Sequence, residues 1–350
     1  RIKAELSVVL HSQILIRSSS CMDNRQILID SLPDGKLTES NYKLTTSDTP
    51  VAGEGQVLCK TIAITIGAGT RAGLQGSASY AGAPKKGIVM NGTGVARIVE
   101  SRCEDLSDGD LVVCQSGWQD FSVHKPNQVQ KVSDDIDPGH HLGALGTNGL
   151  TAYFGLTKLG EPTNGETIMV SAAAGSVGHL VGQMAKILGC KTIGVSSSTE
   201  KCALLTQRFG YDAAVSYRSP DFRAELKTAC PNGIDIYFDN TGGEVLGAAL
   251  FRMNEHGRIA CCGVVSQYDT NNPAGGPKGI PGLLINKRIR MQGFLVFDYL
   301  DDYAAARKQI RSWIDSGDLK PVNDEIKGLE RAPAAFVDLL AGGNVGTRIV

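Results

Sequence analysis

The chain lacks the cysteine and histidine patterns that usually hold zinc: there is no pair of CxxC elements and no HExxH in its 350 residues. Its nine cysteines are scattered, apart from the adjacent Cys261 and Cys262. Cys59, Cys114 and Cys261 lie within apolar runs, where cysteine behaves as a small buried hydrophobe. No metal site and no disulfide framework are therefore expected, and a reducing, cytoplasmic compartment is. No apolar run approaches the ~20 residues of a membrane-spanning helix, so no membrane partner is expected. Charge of one sign is also missing. With 35 Lys+Arg against 36 Asp+Glu, the formal net charge is −1, and no overall field draws nucleic acid or an anionic surface. Neither an internal repeat nor a low-complexity tract occurs, which sets aside a repeat architecture.

What is present is glycine. The 42 glycines, with 42% hydrophobic and 20% charged residues, describe a globular chain with many tight turns, as in α/β folds. The length suits about two domains. Residues 1–21, RIKAELSVVLHSQILIRSSSC, carry one acidic residue and end in serines before Met22 opens MDNRQILIDSLPDG. That stretch reads as a transit peptide or as upstream or vector-derived sequence, and it is set outside the expected fold.

From Val57 to about Lys131, short strand-like runs are broken by glycine. QVLCKTIAITI alternates in part, and GIVMNGTGVARIVE and GDLVVCQSGWQDFSV each suggest two β segments. These predict an antiparallel, barrel-like β domain. Near Gly143 the character changes, and GALGTNGLTAYFGLTKLG predicts a helix from about Asn148 to Gly160. Strand-like runs then recur at Thr167–Ala172, Lys191–Ser196, Ala213–Ser216, Asp235–Asp239 and Arg258–Cys262, with helical text between them. One of these helices ends at Gly210; another takes Ser219 and Pro220 as cap and first turn. A Gly/Pro-rich loop from Asn271 to Gly282 precedes a sixth strand in RIRMQGFLVF, and two amphipathic helices follow. Repeated β–helix–β units predict a Rossmann-type, doubly wound parallel sheet beside the β-rich domain. The expected division is residues 22–143 and 299–350 for the β-rich substrate domain and 144–298 for the dinucleotide-binding domain.

One segment carries chemistry. In SAAAGSVGHLVGQMAKILGC, Ile168, Val170 and Ala172 end a strand, Gly175 lets backbone approach a pyrophosphate, and Gly178 allows close helix–strand packing. Val177, Val181, Met184 and Leu188 then recur at helical spacing, and the helix start can face phosphate oxygens. The first glycine of the usual fingerprint is replaced by Ala173. At the end of the next strand, where an acid would select a cofactor without a 2′-phosphate, stand Ser196, Ser197 and Ser198, with Lys201 close behind. Glu200 is the contrary residue, placed in the first helical turn. Hydroxyls and a lysine favour NADPH, although Lys201 on residue type alone also reads as a solvated helix residue.

The whole text from Met22 onward resembles the zinc-free double-bond reductases of the medium-chain dehydrogenase/reductase superfamily, which include prostaglandin, alkenal and curcumin reductases. The matching stretches include SGWQDFSV, LTAYFGL, SAAAGSVGHLVGQMAK, GIDIYFDNTGG, GRIACCGVVSQY and GGNVGTRIV. That family usually has alanine at the position of Ala173. The resemblance implies a GroES-like substrate domain, a homodimer, and NADPH delivering hydride to the β-carbon of an α,β-unsaturated carbonyl, with a proton then reaching the α-carbon. It implies cofactor contacts at Thr151, Ala173, Gly175, Ser176, Val177, Gly178, Ser197, Lys201, Tyr217, Asn240, Cys262, Gly263, Val264, Phe294, Val296 and Asn344. Of these, Lys201 and Tyr217 fall near the 2′-phosphate, Asn240 near the nicotinamide side, and Asn344 near the ribose–phosphate chain.

Such a reaction needs a preorganised donor for charge developing on the carbonyl oxygen. In relatives a tyrosine in the segment matching VVSQY is implicated, which here is Tyr268. A phenol can donate and act as an acid; as the alternative, Tyr268 only walls the pocket and a ribose hydroxyl supplies the proton. The chain departs from the family at one place. Where relatives carry Asp-Pro-Tyr-Met-Arg, GAGTRAGLQG has Gly69 for the tyrosine and keeps Arg71. Arg71 and Tyr80 are expected at the substrate pocket. A zinc alcohol dehydrogenase would need a Gly-His-Glu segment and a cysteine-rich lobe, both missing. A quinone reductase and a non-catalytic NADPH-binding protein remain the alternatives to an enone reductase.

Overall fold

The computed structural model describes residues 23–75, 84–273 and 275–350, so the N-terminal stretch and Tyr80 lie outside the described residues. The described chain opens with an antiparallel pair, β1 (Asp23–Ile29) and β2 (Tyr42–Asp48). Five antiparallel strands follow: β3 (Val57–Ile64), β4 (Gly94–Ser101), β5 (Leu111–Cys114), β6 (Phe121–His124) and β7 (Val129–Lys131), ordered β6-β3-β4-β5-β7. Two register shifts between β3 and β4 bend this sheet towards a half-barrel. Its inner face buries Val57, Cys59, Ala96, Ile98, Val112 and Cys114. A second core gathers around Trp118, which stacks on Tyr42 at 5.3 Å and meets Phe336 edge-on at 6.0 Å. Phe336 comes from the far end of the chain, which returns here: Ile64 N donates to Val350 O at 2.8 Å.

Three helices lead away from this sheet: α1 (Gly69–Leu74), α2 (Pro138–Leu142) and α3 (Thr147–Phe154). The helix expected to run to Gly160 does so, but Gly155–Gly160 winds as a wider π turn, with Glu161 N reaching Leu156 O at 2.9 Å. Gly155 opens that turn where a Cβ would come within 2.6 Å of the Phe238 and Phe294 rings, so the turn lies directly on them.

The second sheet has six parallel strands: β8 (Thr167–Ser171), β9 (Lys191–Ser196), β10 (Ala213–Ser216), β11 (Ile234–Asp239), β12 (Met253–Cys261) and β13 (Arg290–Gly293). Period-two alternation splits its side chains between two cores. Ile168, Val170, Ile236 and Phe238 face one, while Met169 and Tyr237 face the other, so the sheet is buried on both sides. Helices α4 (Gly178–Ile187), α5 (Thr199–Gln207), α6 (Phe222–Ala229) and α7 (Gly243–Arg252) cover it. No helix among the described residues is long and apolar enough to cross a membrane.

Several boundaries differ from the sequence expectation. β12 starts at Met253, well before Arg258, through an irregular register opposite Ile234–Ile236. α6 begins at Phe222 because the Ser219 hydroxyl accepts from Asp221 N at 3.2 Å and holds a turn ahead of the helix. The expected loop to Gly282 gives way at Ile280 to α8 (Ile280–Lys287), with Pro281 in its first turn. β13 stops at Gly293, since the Asp298 carboxylate accepts from Leu295 N at 3.0 Å and starts a tight helical turn. Helices α9 (Tyr303–Asp315) and α10 (Ala332–Leu340) follow, with a short parallel pair, β14 (Asn323–Glu325) and β15 (Thr347–Ile349).

Close contact between α4 and the sheet depends on small residues. The Tyr211 hydroxyl donates to Gly178 O at 2.8 Å, and its ring lies across Gly182, where a Cβ would enter the ring itself. Gly182→Ala should therefore cost about 2 kcal/mol or more of stability through overpacking. Urea unfolding measures this, and a variant as stable as the parent would show that α4 is not packed this way.

Candidate functional site

The sheet order β10-β9-β8-β11-β12-β13 places β8 beside β11, although two strands separate them in the chain. The segment after β8 leaves towards β9 and the segment after β11 leaves towards β12. A crevice therefore opens at the carboxyl ends of these two strands. The turn after β8 lines it. Ala172 takes φ 47°, the left-handed conformation usually left to glycine, and its carbonyl accepts from Gly175 N at 2.9 Å. Ala173 keeps ordinary backbone geometry and is buried, its N–H bonded to Val195 O at 3.1 Å. Its methyl fits because the facing residue is Gly194, where a Cβ would lie 3.2 Å away. At Gly178 a Cβ would strike the Ala172 carbonyl and sit 2.7 Å from Ala173 Cα, so only glycine fits. At Gly175 a Cβ would meet one neighbour, Ala172 O at 3.2 Å, and would otherwise project into an open cradle. That cradle, with the start of α4 beside it, fits an anionic pyrophosphate.

His179 holds the turn from behind, a residue the sequence reading passed over. Its Nδ1 lies 2.8 Å from Gly175 O, and its Nε2 accepts from Val322 N at 3.2 Å. These partners require a neutral ring protonated on Nδ1. Full burial pushes its pKa down to about 4, against smaller opposing effects from hydrogen bonds at Gly175 and Ser176.

At the end of β9, Ser198 caps α5, accepting from Lys201 N at 3.2 Å. Glu200 is occupied locally, its carboxyl held below the usual range by its own backbone amide and the Ser198 hydroxyl. The Lys201 ammonium donates to Gly342 O at 2.5 Å and Asn344 O at 2.6 Å, leaving one of its three donors. Burial lowers its pKa, with Asp338 and Asp324 opposing. Ser197 lies against Gly342. The Asn344 amide donates to Gly346 O at 2.9 Å, the Ser176 hydroxyl donates to the same carbonyl at 3.3 Å, and Gly346 N donates to Ala174 O at 2.8 Å. Ser176, Ser197, Lys201 and Asn344 are thus one neighbourhood, built from three distant parts of the chain. Tyr217 follows β10, 39% exposed, with the Arg218 guanidinium 5.8 Å from its ring centre. Arg218 also acts electrostatically on Lys201. Its place directly after Tyr217 in SYRSP was the signal available for it.

The other half of the crevice is organised by Asp239, a second residue the sequence reading did not single out. Its buried Oδ1 accepts from the Tyr237 hydroxyl at 2.7 Å, Gly242 N at 2.8 Å and Thr241 N at 3.0 Å. Its carbonyl accepts from Cys262 N at 2.8 Å and Gly263 N at 3.1 Å. Asn240 straps β11 to β8, donating from N to Ser171 Oγ at 3.0 Å and from Nδ2 to Ser171 O at 2.8 Å. After Gly263 the chain makes a tight turn, and the Tyr268 phenol folds back to accept from Val264 N at 3.3 Å. Phe294 and Val296 pack into the core that holds Phe154 and Phe238. Thr151 is half-buried on α3, one turn beyond Thr147, which lines a cavity of about 330 Å³ with Thr65, Thr93, Leu145 and Arg307. Arg71, expected at the substrate pocket, is fully buried, and its Nε donates to the Asp269 carboxylate at 2.9 Å. Among the described residues, no group of three or more His, Cys, Asp or Glu side chains is arranged to hold a metal ion.

Comparison with known proteins adds to this geometry. Residues 25–132 match the family described as the N-terminal domain of oxidoreductase, and residues 176–312 match zinc-binding dehydrogenase. The chain is 38% identical over 338 residues to the 2-alkenal reductase (NADP(+)-dependent) of Nicotiana tabacum, covering 94% of this chain and 97% of that one. It is 37% identical over 332 residues to the NADPH-dependent curcumin reductase of Escherichia coli (strain K12), covering 93% and 96%. The crystal structure of CurA in complex with NADPH from Vibrio vulnificus matches with a TM-score of 0.89 at 35% identity, over 93% of this chain and 98% of that chain.

The burial of His179 makes a stability prediction. Unfolded, the imidazole binds a proton below about pH 6.5, whereas folded it resists until about pH 4. The stability due to neutral His179 is therefore present above pH 6.5 and lost as pH falls towards 4, up to about 3 kcal/mol. Urea unfolding at pH 7.5 and 4.5 should show a smaller drop for His179→Gln than for the parent. Equal drops would mean that His179 does not resist protonation in the folded state.

Proposed function

Because the chain belongs to the zinc-free double-bond reductase branch of the medium-chain dehydrogenase/reductase superfamily, we propose that it reduces the carbon–carbon double bond of α,β-unsaturated ketones and aldehydes. It is an oxidoreductase, and its cofactor is NADPH. When bound, the reduced nicotinamide supplies a hydride, in this reading to the β-carbon of the enone. The chain's own residues have three tasks. Gly175 and Ser176 receive the pyrophosphate in the open cradle before α4. Ser197, the remaining donor of Lys201, and Arg218 receive the 2′-phosphate; the ammonium is already fixed by two carbonyls, so little ordering remains on binding. Tyr268 donates to the substrate carbonyl oxygen as negative charge develops there and holds a proton for the α-carbon.

The observation that carries the reading is the position of that phenol. It lies against the Gly263–Val264 backbone at the carboxyl end of β12, two strands from the cofactor turn. The Val264 N–H donating into the phenol oxygen polarises the O–H towards donation.

Two measurements test the proposal. NADPH should be preferred over NADH by at least about tenfold, or ~1.4 kcal/mol. Lys201→Ala should raise KM for NADPH far more than for NADH, whereas an equal loss for both would show that Lys201 does not read the phosphate. For the chemistry, an enone incubated with NADPH should yield the saturated ketone. An allylic alcohol, or turnover confined to quinones, would overturn the assignment. Tyr268→Phe should lower kcat by roughly tenfold to a hundredfold with cofactor affinity little changed, less than the full effect of an oxyanion donor because a ribose hydroxyl or water partly substitutes. Full turnover, with chemistry rate-limiting, would reduce the tyrosine to a wall.

A further inference from the structure

We propose that Arg71 and Asp269 are positioning residues, an ion pair across the cleft that holds Tyr268 where its phenol can act. The proposal rests on the reading of Tyr268 given above. Asp269 directly follows Tyr268, on the segment that leaves β12 of the parallel sheet. Arg71 lies on α1, in the β-rich half. Their side chains meet at 2.9 Å, and the same carboxylate oxygen accepts from Leu37 N at 2.7 Å. Arg71 also donates from Nη2 to Gly35 O. Gln75, one turn beyond Arg71, joins the two sides. Oriented so that both ends are satisfied, its amide accepts from Arg71 Nη2 at 3.3 Å and donates to the Tyr268 carbonyl at 3.2 Å. Further along, Asn271 donates to the Asp34 carboxylate at 2.6 Å. The β-rich half thus grips Tyr268, Asp269 and Asn271 from residues 34–37 and α1.

Burial makes the ion pair the strong member of this set. The Arg71 side chain is 0% exposed and that of Asp269 only 22% exposed. A buried guanidinium without a counter-charge is costly, and Nη1 of Arg71 already has no partner among the described residues. Moving Asp269 away would strand the charge, so the loop is held to one position. With the backbone fixed at its carbonyl and at the next side chain, the Tyr268 Cα keeps the position from which the phenol reaches Val264 N.

The test is a double-mutant cycle joined to a measurement that needs neither substrate nor cofactor. Asp269→Ala should lower kcat on an enone at least tenfold while KM for NADPH stays within about twofold, and the milder Asp269→Asn should fall between it and the parent. In a Tyr268→Phe background, Asp269→Ala should cost no more than about a further twofold, because the group it positions is already gone. Hydrogen exchange on the cofactor-free enzyme should show amides of residues 264–271 exchanging at least tenfold faster in the Asp269 variants, with residues 173–180 unchanged. Full loss on both backgrounds, or unaltered exchange in 264–271, overturns the proposal. If Asp269→Ala does not fold, Asp269→Asn and Arg71→Lys carry the same readouts. If the parent enzyme leaves enones untouched, the functional reading fails by itself, and the exchange result still decides whether the ion pair holds the loop.

Discussion

The pairing of β8 with β11 is the constraint on which the rest of the site depends. The two strands are hydrogen-bonded neighbours whose following segments leave in opposite directions, so an opening at their carboxyl ends is unavoidable. Ser171 and Asn240 fasten the opening at its base, since two donors of Asn240 end on one serine. Asp239 then uses one carboxylate oxygen and one carbonyl to hold both the turn into α7 and the turn after β12. Buried acceptors surrounded by backbone donors are stiff, because every alternative leaves a polar group unpaired. The candidate cofactor and substrate residues are displayed from this rigid base.

The cofactor turn shows how few atoms separate a cradle from a collision. Ala172 bears the left-handed conformation, Gly178 removes a methyl that would strike its carbonyl, and Gly194 makes room for the methyl of Ala173. Glycine is therefore required where backbone meets backbone, not at the place the general fingerprint puts its first one. His179 links this turn to Val322, and Gly346 links it to the C-terminal strand, so the turn is supported from two directions.

The chain's return binds its last segment to both sheets. Val350 pairs with Ile64, and Phe336 enters the Trp118 core. Arg348, almost fully buried, bonds Asp324 at 2.7 Å and Asp338 at 2.9 Å. The carbonyls that hold the Lys201 ammonium belong to the same returning segment. The segment that completes the β-rich half therefore also holds the Lys201 ammonium.

Local chemistry made much of the fold readable in advance. The short strand-like runs in TIMVS and IDIYFD, the order strand–turn–helix after Ser171, and hydroxyls in place of an acid after β9 are short-range patterns, and each names its element from neighbouring residues. Boundaries were less legible where one hydrogen bond outweighs propensity: Ser219 delays α6 and Asp298 ends β13. Tyr268 could be located past a strand from sequence, but not the backbone it folds against. Tertiary structure alone decided the partners of Lys201, 141 and 143 residues away, and that of Arg71, 198 residues away. It also brought His179, Arg218 and Asp239 to the site. The physical reason is that a residue's type fixes which charges and donors it offers, whereas the group that meets them is chosen by the packing of distant segments, which no short window of sequence contains.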